Sequence, residues 1–487
     1  MMTDPLYPTP FPAVSSRRLL AIYGVASAVF VLGIFVMLHL GRALSGGAAL
    51  TPHAATAAVS VWTGLWRNLQ DPLARLLLQL VVIVTATKAA GAVAARAGQP
   101  AVVGEMAAGI LLGPSLLGWV WPAGSAFIFQ ASSLGALQLF SQIGVCLFMF
   151  VIGLELDIGD LKRRAQTALV VSHSSIMLPF LLGAGSALLL YPSYGPPGAP
   201  FVSFALFMGV AMSITAFPVL ARILSDRGLM HTPLGVTATA CAAADDVTAW
   251  IILALVVAIA HGGGMASILL NLGLLVGFVL VMLLVARPAL ARMLPAEATQ
   301  GPHALGAVAA ALVFMTACAL VTQAIGVHAL FGAFLAGVVM PRRHREFLAV
   351  RLENVSAAFL LPLFFAFTGL RTQIDLLNTP QSWLVAAGVV AVAVSGKVVG
   401  SMVPARLTGM DWRQAFQLGA LMNTRGLVEL IALNIGYDLG ILPPRIFSIL
   451  VLMALATTFM TGPLLDLANR RFPGPGGEGG GAAPAKG

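Results

Sequence analysis

The sequence predicts an all-α polytopic membrane protein, on two observations. Its 487 residues are 59% hydrophobic and only 9% charged, with a mean hydropathy of +0.94, whereas a soluble domain carries about 25% charged residues. The apolar residues also gather into runs of roughly 20, the length that crosses about 30 Å of hydrocarbon. About fourteen such runs can be marked, near residues 19–40, 72–94, 100–118, 133–154, 166–191, 201–224, 233–260, 266–286, 304–324, 327–341, 355–370, 383–405, 414–436 and 446–466. They are called spans 1 to 14 below.

Orientation follows from lysine and arginine, which stay on the cytoplasmic side of short loops. Placing the N-terminus inside collects Arg17, Arg18, Lys162, Arg163, Arg164, Arg342, Arg343, Arg470 and Arg471 there, and leaves Arg42, Arg67, Arg75, Arg371 and Arg445 outside. The net charge of +9 is therefore a topology signal, and no nucleic-acid partner is expected. Cys146, Cys241 and Cys318 all fall inside apolar runs, so neither a disulfide framework nor a metal cluster is indicated, and no cofactor is expected. Span 1 has an apolar core longer than a signal peptide's and reads as an uncleaved helix, followed by an outer loop to residue 71. The end, "FPGPGGEGGGAAPAKG", reads as a disordered cytoplasmic tail over 472–487. No soluble regulatory domain is expected.

Three echoes at a separation of seven spans predict inverted repeats. "GEMAAGILLGP" in span 3 matches "GAFLAGVVMP" in span 10, pairing Gly104 with Gly332 and Gly109 with Gly337. "LFMFVIGLELDI" (147–158) matches "LFFAFTGLRTQI" (363–374) without a gap, and "GVAMS" (209–213) matches "GALMN" (419–423). An odd separation inverts one copy relative to the other.

Spans 6 and 13 of this series are both interrupted. In "MSITAFPVLARIL", Pro218 cannot donate to the carbonyl four residues back, at Ile214, and a freed carbonyl can bind a cation. Span 13 carries "NTRGLVEL", with Asn423, Thr424, Arg425 and Gly426 where an apolar run is expected. Sites in such folds lie at the midplane beside broken helices, so two crossing broken helices are predicted.

Span 7 contains "CAAADDVTAW". An ionised aspartate at the bilayer centre costs about 2.5–3.5 kcal/mol on insertion scales, so Asp245 and Asp246 must be paired or useful. Successive helical residues point about 100° apart, which gives the two different partners. Lys397, deep inside span 12, is the candidate partner for one of them. Arg425 and Glu429 stand at the spacing of an intrahelical salt bridge and are read as structural or gating residues. Glu105 is expected to cap a helix or pair with a loop arginine. Glu155 and Asp157 face the basic run Lys162 to Arg164, and His173 is expected to be a hydrogen-bonded core histidine rather than a proton relay.

Taken in order, "GEMAAGILLGPSLLG", "FMFVIGLELDI", "SITAFPVLARIL", "ADDVTAW", "LPLFFAFTGLRT", "GKVVG" and "NTRGLVELIALNIG" resemble the cation:proton antiporter-2 family of sodium/proton and potassium/proton exchangers, from about Leu76 to Asn469. The resemblance implies thirteen family-like spans plus the extra N-terminal one, and a homodimer. It implies scaffold helices over 72–158 and 303–381, core ion-transport helices over 159–262 and 382–471, and a linker helix over 263–302. It also implies that Asp246 binds a monovalent cation or a proton, that Asp245 pairs with Lys397, and that Ser213, Thr215, Asn423 and Thr424 line the ion cavity. Aspartate at the first position of the pair implies electrogenic exchange, whereas the branch with the closest wording has Asn-Asp. The expected function is exchange of Na⁺ or K⁺ for protons by alternating access, with a channel-like potassium efflux protein or an electroneutral K⁺/H⁺ exchanger as the alternative. The expected location is a bacterial inner membrane, both termini cytoplasmic. An intramembrane aspartyl protease is excluded, because adjacent residues of one helix cannot share one catalytic water, so no enzyme is expected.

Overall fold

The computed structural model describes residues 16–44, 67–155, 165–230, 232–260, 265–293 and 304–471. Asp157 and the basic run at 162–164 lie outside the described residues. The chain divides into two units, residues 1–70 and 71–487. In the first, α1 (Ser16–Leu44) exposes Val25, Phe30, Leu32, Phe35 and Met37, an apolar surface suited to lipid.

In the second unit the apolar runs become α2 (Pro72–Arg96), α3 (Ala101–Leu112), α4 (Leu134–Glu155), α5 (Ala165–Tyr194), α6 (Phe201–Ser213), α7 (Phe217–Asp226), α8 (Pro233–Ala260), α9 (Met265–Val281), α10 (Ala304–Ile325), α11 (Ala329–Val339), α12 (Arg342–Val355), α13 (Leu361–Arg371), α14 (Pro380–Leu407), α15 (Trp412–Met422), α16 (Leu427–Asp438) and α17 (Pro444–Arg471). No strand occurs among the described residues. Eleven helical stretches there are long and apolar enough to cross a membrane. Of the other runs marked in the sequence, the first is α1, with its apolar part at Gly24–Met37, the tenth is the short Ala329–Val339, and the thirteenth is divided in two as α15 and α16.

Packing sorts these helices into two groups. In one, α3 packs on α2 and α13, α11 on α4 and α10, and α13 on α4. In the other, α5 packs on α6, α8 and α14, α15 on α14 and α17, and α16 on α6 and α17.

The repeat echoes have a packing cause. A Cβ on Gly104 would collide with the Ala90 carbonyl of the preceding helix, and one on its mate Gly332 would collide with the Cys318 carbonyl of its own preceding helix. Gly109 sits against the Phe365 carbonyl of α13, while Gly337 sits against the Phe150 carbonyl of α4. Helix α3 thus crosses α13 and α11 crosses α4, each a helix of the other repeat, and small residues let the backbones approach. Gly109→Val or Gly337→Val should each lower stability by about 1–3 kcal/mol through overpacking. Thermal melts of detergent-solubilised protein check this, and unchanged melting for both would contradict the crossing.

Candidate functional site

Both predicted interruptions are present, and each has its own local cause. Helix α6 ends at Ser213, residues 214–216 are extended, and α7 restarts with Pro218 in its first turn, where a missing N–H costs nothing. The break therefore lies before the proline, and the freed carbonyls differ from the single one expected at Ile214. They are the last four of α6, at Val210 to Ser213. The second break holds no proline. Gly426, with φ +157° and ψ −122°, precedes α16, in a region essentially restricted to glycine, and a Cβ there would lie 3.0 Å from Val219 Cγ2. The extended segments meet: the Ala216 N–H donates to the Thr424 carbonyl at 3.0 Å, and Thr215 Oγ1 lies 3.0 Å from the Met422 carbonyl.

A helix end buried without partners is costly, and here the partners are a hydroxyl and two cations. Ser213 Oγ donates to the Val210 carbonyl at 3.0 Å. Arg425 donates through Nη1 to Ala211 O at 2.7 Å and through Nη2 to Met212 O at 2.6 Å. Lys397 Nζ donates to Ser213 O at 2.5 Å. All four orphan carbonyls of α6 are thereby satisfied, one by the hydroxyl of Ser213 itself and three by side chains from two other elements.

Lys397 has two further acceptors, Ser175 O at 3.0 Å and Asp245 Oδ2 at 3.0 Å, which uses all three of its protons. The glycines of "GKVVG" bring it there. Added Cβ atoms would lie 3.0 Å from Pro179 Cα at Gly396 and 2.9 Å from the Ser174 carbonyl at Gly400, so α14 lies close on α5.

The two aspartates have opposite surroundings. Asp245 is saturated: Ser172 Oγ donates to Oδ1 at 2.6 Å, Ser175 Oγ lies 2.9 Å from Oδ2, Thr215 Oγ1 lies 2.8 Å from Oδ2, and Lys397 completes the set. Asp246 is 2% exposed, and neither of its carboxylate oxygens makes a hydrogen bond with the described residues. The backbone amide of Phe217, the first residue of α7, is directed at it. Helix N-termini present unpaired N–H groups, so this end of α7 faces the free carboxylate.

The other predicted residues separate into two sets. Ser213 and Thr215 belong to the bonded cluster of Asp245 and Lys397. Asn423 Nδ2 reaches the Thr457 carbonyl at 3.4 Å while its Oδ1 is buried without a partner. Thr424 Oγ1 lies 3.2 Å from Thr461 Oγ1. Arg425 lies in the extended segment rather than on a helix, so its pairing with Glu429, at 3.8 Å, is not the intrahelical bridge expected. Both Glu429 oxygens are buried without hydrogen bonds. Glu105 pairs with Lys88 of the neighbouring helix at 2.8 Å, not with a loop arginine. His173 is exposed on the outer surface of α5, which corrects the expectation of a core histidine. Glu155 is likewise exposed at the end of α4.

Sequence reasoning missed Ser172 and Ser175, which hold Asp245, and Thr457, Thr458 and Thr461, which back the second break. Thr458 Oγ1 both accepts from the Arg425 amide at 3.0 Å and donates to its carbonyl at 2.6 Å. Their signal was polar clustering, in "SHSS" and "TTFMT". Among the described residues no group of three His, Cys, Asp or Glu residues is placed to hold a metal ion. Of the acceptors left without hydrogen bonds around the breaks, Glu429 faces Arg425, whereas Asp246 and Asn423 Oδ1 suit a transient cation.

Inverted repeats whose broken helices meet beside a buried carboxylate are the architecture of secondary transporters. The sequence profile described as "Sodium/hydrogen exchanger, transmembrane" matches residues 80–467. The chain is 40% identical over 393 residues to the Na⁺/H⁺ antiporter NhaS4 of Synechocystis, covering 80% of this chain and 96% of that one. It is 40% identical over 400 residues to cation/H⁺ antiporter 19 of Arabidopsis thaliana, covering 80% of this chain and 49% of that one. It is 34% identical over 381 residues to K⁺/H⁺ antiporter 1 of Saccharomyces cerevisiae, covering 76% and 43%. It therefore spans about half the length of the plant relative and somewhat less of the yeast one. In fold it matches the sodium proton antiporter MjNhaP1 of Methanocaldococcus jannaschii with a TM-score of 0.60 at 15% identity, over 81% of this chain and 98% of that one. The chain belongs to the sodium/hydrogen exchanger family.

Arg425→Met would bare the Ala211 and Met212 carbonyls and isolate Glu429, at a cost of about 3–5 kcal/mol. Asp246→Asn breaks no hydrogen bond and should stay within about 1 kcal/mol of the parent. Thermal melts in detergent compare the two, and equal losses would contradict the division of roles.

Proposed function

We propose that the protein exchanges a monovalent cation, Na⁺ or K⁺, for protons across a membrane by alternating access. One observation carries the reading: Asp246 is a buried carboxylate whose side-chain oxygens have neither a hydrogen bond nor a cationic side chain in contact, at the junction of two broken helices where Asp245 and Glu429 each face a buried cation. A buried charge must be paired or neutralised, and here the choices are a proton or a metal cation. Each excludes the other, so the two are exchanged. The names of the relatives, Na⁺/H⁺ and K⁺/H⁺ antiporters, support the same chemistry.

In the cycle, Asp246 loses its proton as it takes the cation, with oxygens of Ser213, Thr215, Asn423 and Thr424 lining the cavity. Residues 159–262 and 382–471 form the moving core, linked through 263–302 to a scaffold of 72–158 and 303–381 that dimerises. Arg425 and Glu429 hold the break and gate it. The termini face the cytoplasm of a bacterial cell, across its inner membrane.

Net charge movement depends on Asp245. Electrogenic exchange has Asp245 take a second proton and release Lys397. A second reading, electroneutral one-for-one exchange, is favoured by the saturation of both groups, since Asp245 meets four donors and Lys397 three acceptors. In proteoliposomes with an imposed pH gradient, Asp246→Asn should reduce cation-driven proton movement on the order of a hundredfold or more, and full activity would sink the assignment. Repeating the assay at clamped membrane potentials with Na⁺, K⁺ and Li⁺ separates the stoichiometries: a rate independent of potential supports one-for-one exchange.

A further inference from the structure

The two helix groups are joined by polar contacts at the end of the bundle where α13 and α16 terminate, and Arg371 is at their centre. Its Nη2 lies 2.7 Å from Asp438 Oδ1 and its Nη1 donates to Asn434 Oδ1 at 2.9 Å. The guanidinium also sits 4.3 Å from the ring centre of Phe367 and 5.1 Å from that of Tyr437. Arg371 belongs to α13, whereas Asn434, Tyr437 and Asp438 belong to α16, the second half of a broken helix. Asn434 Nδ2 in turn donates to Thr368 Oγ1 at 2.9 Å. Beside it the Gln373 amide donates to Ser448 Oγ of α17 at 2.8 Å.

At the opposite end the same two groups touch, with Gly462 of α17 beside Gln99, but leave a gap. A cavity of about 310 Å³ lies there between Gly98, Gln99 and Pro100, in the turn joining α2 to α3, and Arg222, Arg227 and Gly462 of the other group. One end is thus closed by directional contacts and the other holds an open cleft.

We propose that Arg371, with Asp438, Asn434 and the Gln373–Ser448 contact, forms a latch that closes the Arg371 end in this conformation and must open in each transport cycle. The inference rests on the alternating-access reading. A core that presents its site to the opposite face moves against the scaffold, and contacts that cross between them at a closed end cannot survive that movement. Charge-assisted arginine contacts suit the task, being directional yet partly exposed, so that water can take over the released groups. The side chains of Arg371 and Asp438 are 15% and 39% exposed.

A reversible cross-link tests this. In protein lacking its three native cysteines, Gln373→Cys and Ser448→Cys are introduced together, reconstituted in proteoliposomes and oxidised. Oxidation should slow cation-driven proton movement on the order of tenfold or more, with recovery on reduction. Ser115→Cys with Thr372→Cys joins two sites within one group, where Ser115 Oγ donates to the Thr372 carbonyl at 3.0 Å, and should leave transport unchanged. Full transport by the oxidised 373–448 protein would overturn the latch, whereas absence of exchange in the reduced protein would instead overturn the antiport reading. Arg371→Gln gives an independent reading by hydrogen–deuterium exchange. Backbone amides of residues 434–438 should exchange faster while those of 98–100 and 222–227 become more protected, a change at the distant end that local loosening does not produce. Unchanged protection at 98–100 and 222–227 would also overturn the proposal.

Discussion

The site depends on one constraint: a helix interrupted inside a membrane leaves carbonyls that lipid cannot satisfy. Helix α6 ends at Ser213 and bares four of them. Water is the usual remedy at a surface helix end, but the fold supplies a hydroxyl, a guanidinium and an ammonium instead. Two buried cations are thereby held at the helix C-terminus, where the backbone dipole favours positive charge. They in turn require nearby acids, and Asp245 and Glu429 are the residues that face them.

That arrangement explains why two adjacent aspartates are tolerated on α8. The roughly 100° between successive side chains turns Asp245 toward Lys397, Ser172, Ser175 and Thr215 and turns Asp246 away from all of them. The first carboxylate is part of the framework that repairs a broken helix. The second sits beside it without belonging to that framework, and it is the group to which the proposed exchange is assigned. The close crossings at Gly396 and Gly400 connect the motif "GKVVG" to this chemistry, because they set the distance at which Lys397 reaches α5.

Much of this was legible in the sequence, for reasons of scale. Apolar runs report lipid directly, and the paired interruptions showed as a proline in one repeat and "NTRG" in the other. What sequence could not show is which groups repair the break. Pro218 suggested a free carbonyl at Ile214, but the chain leaves the helix one turn earlier, and Arg425 comes from an element more than 200 residues away. Ser172 and Ser175 were passed over because serine and threonine in membrane helices commonly bond back to their own turn, as Thr248 does to Ala244. A hydroxyl aimed at a distant carboxylate looks the same in the sequence. Arg425 and Glu429 have helical spacing, yet the break between them removes the helix on which that spacing would have meaning.

The central claim is that Asp246 is the group where cation and proton compete. Titration calorimetry of the detergent-solubilised protein with Na⁺ or K⁺, repeated in buffers of different ionisation enthalpy, measures this without transport. The account predicts release of about one proton per bound cation in the parent, by linkage, and neither binding nor release in Asp246→Asn. Cation binding by Asp246→Asn with undiminished proton release would contradict it.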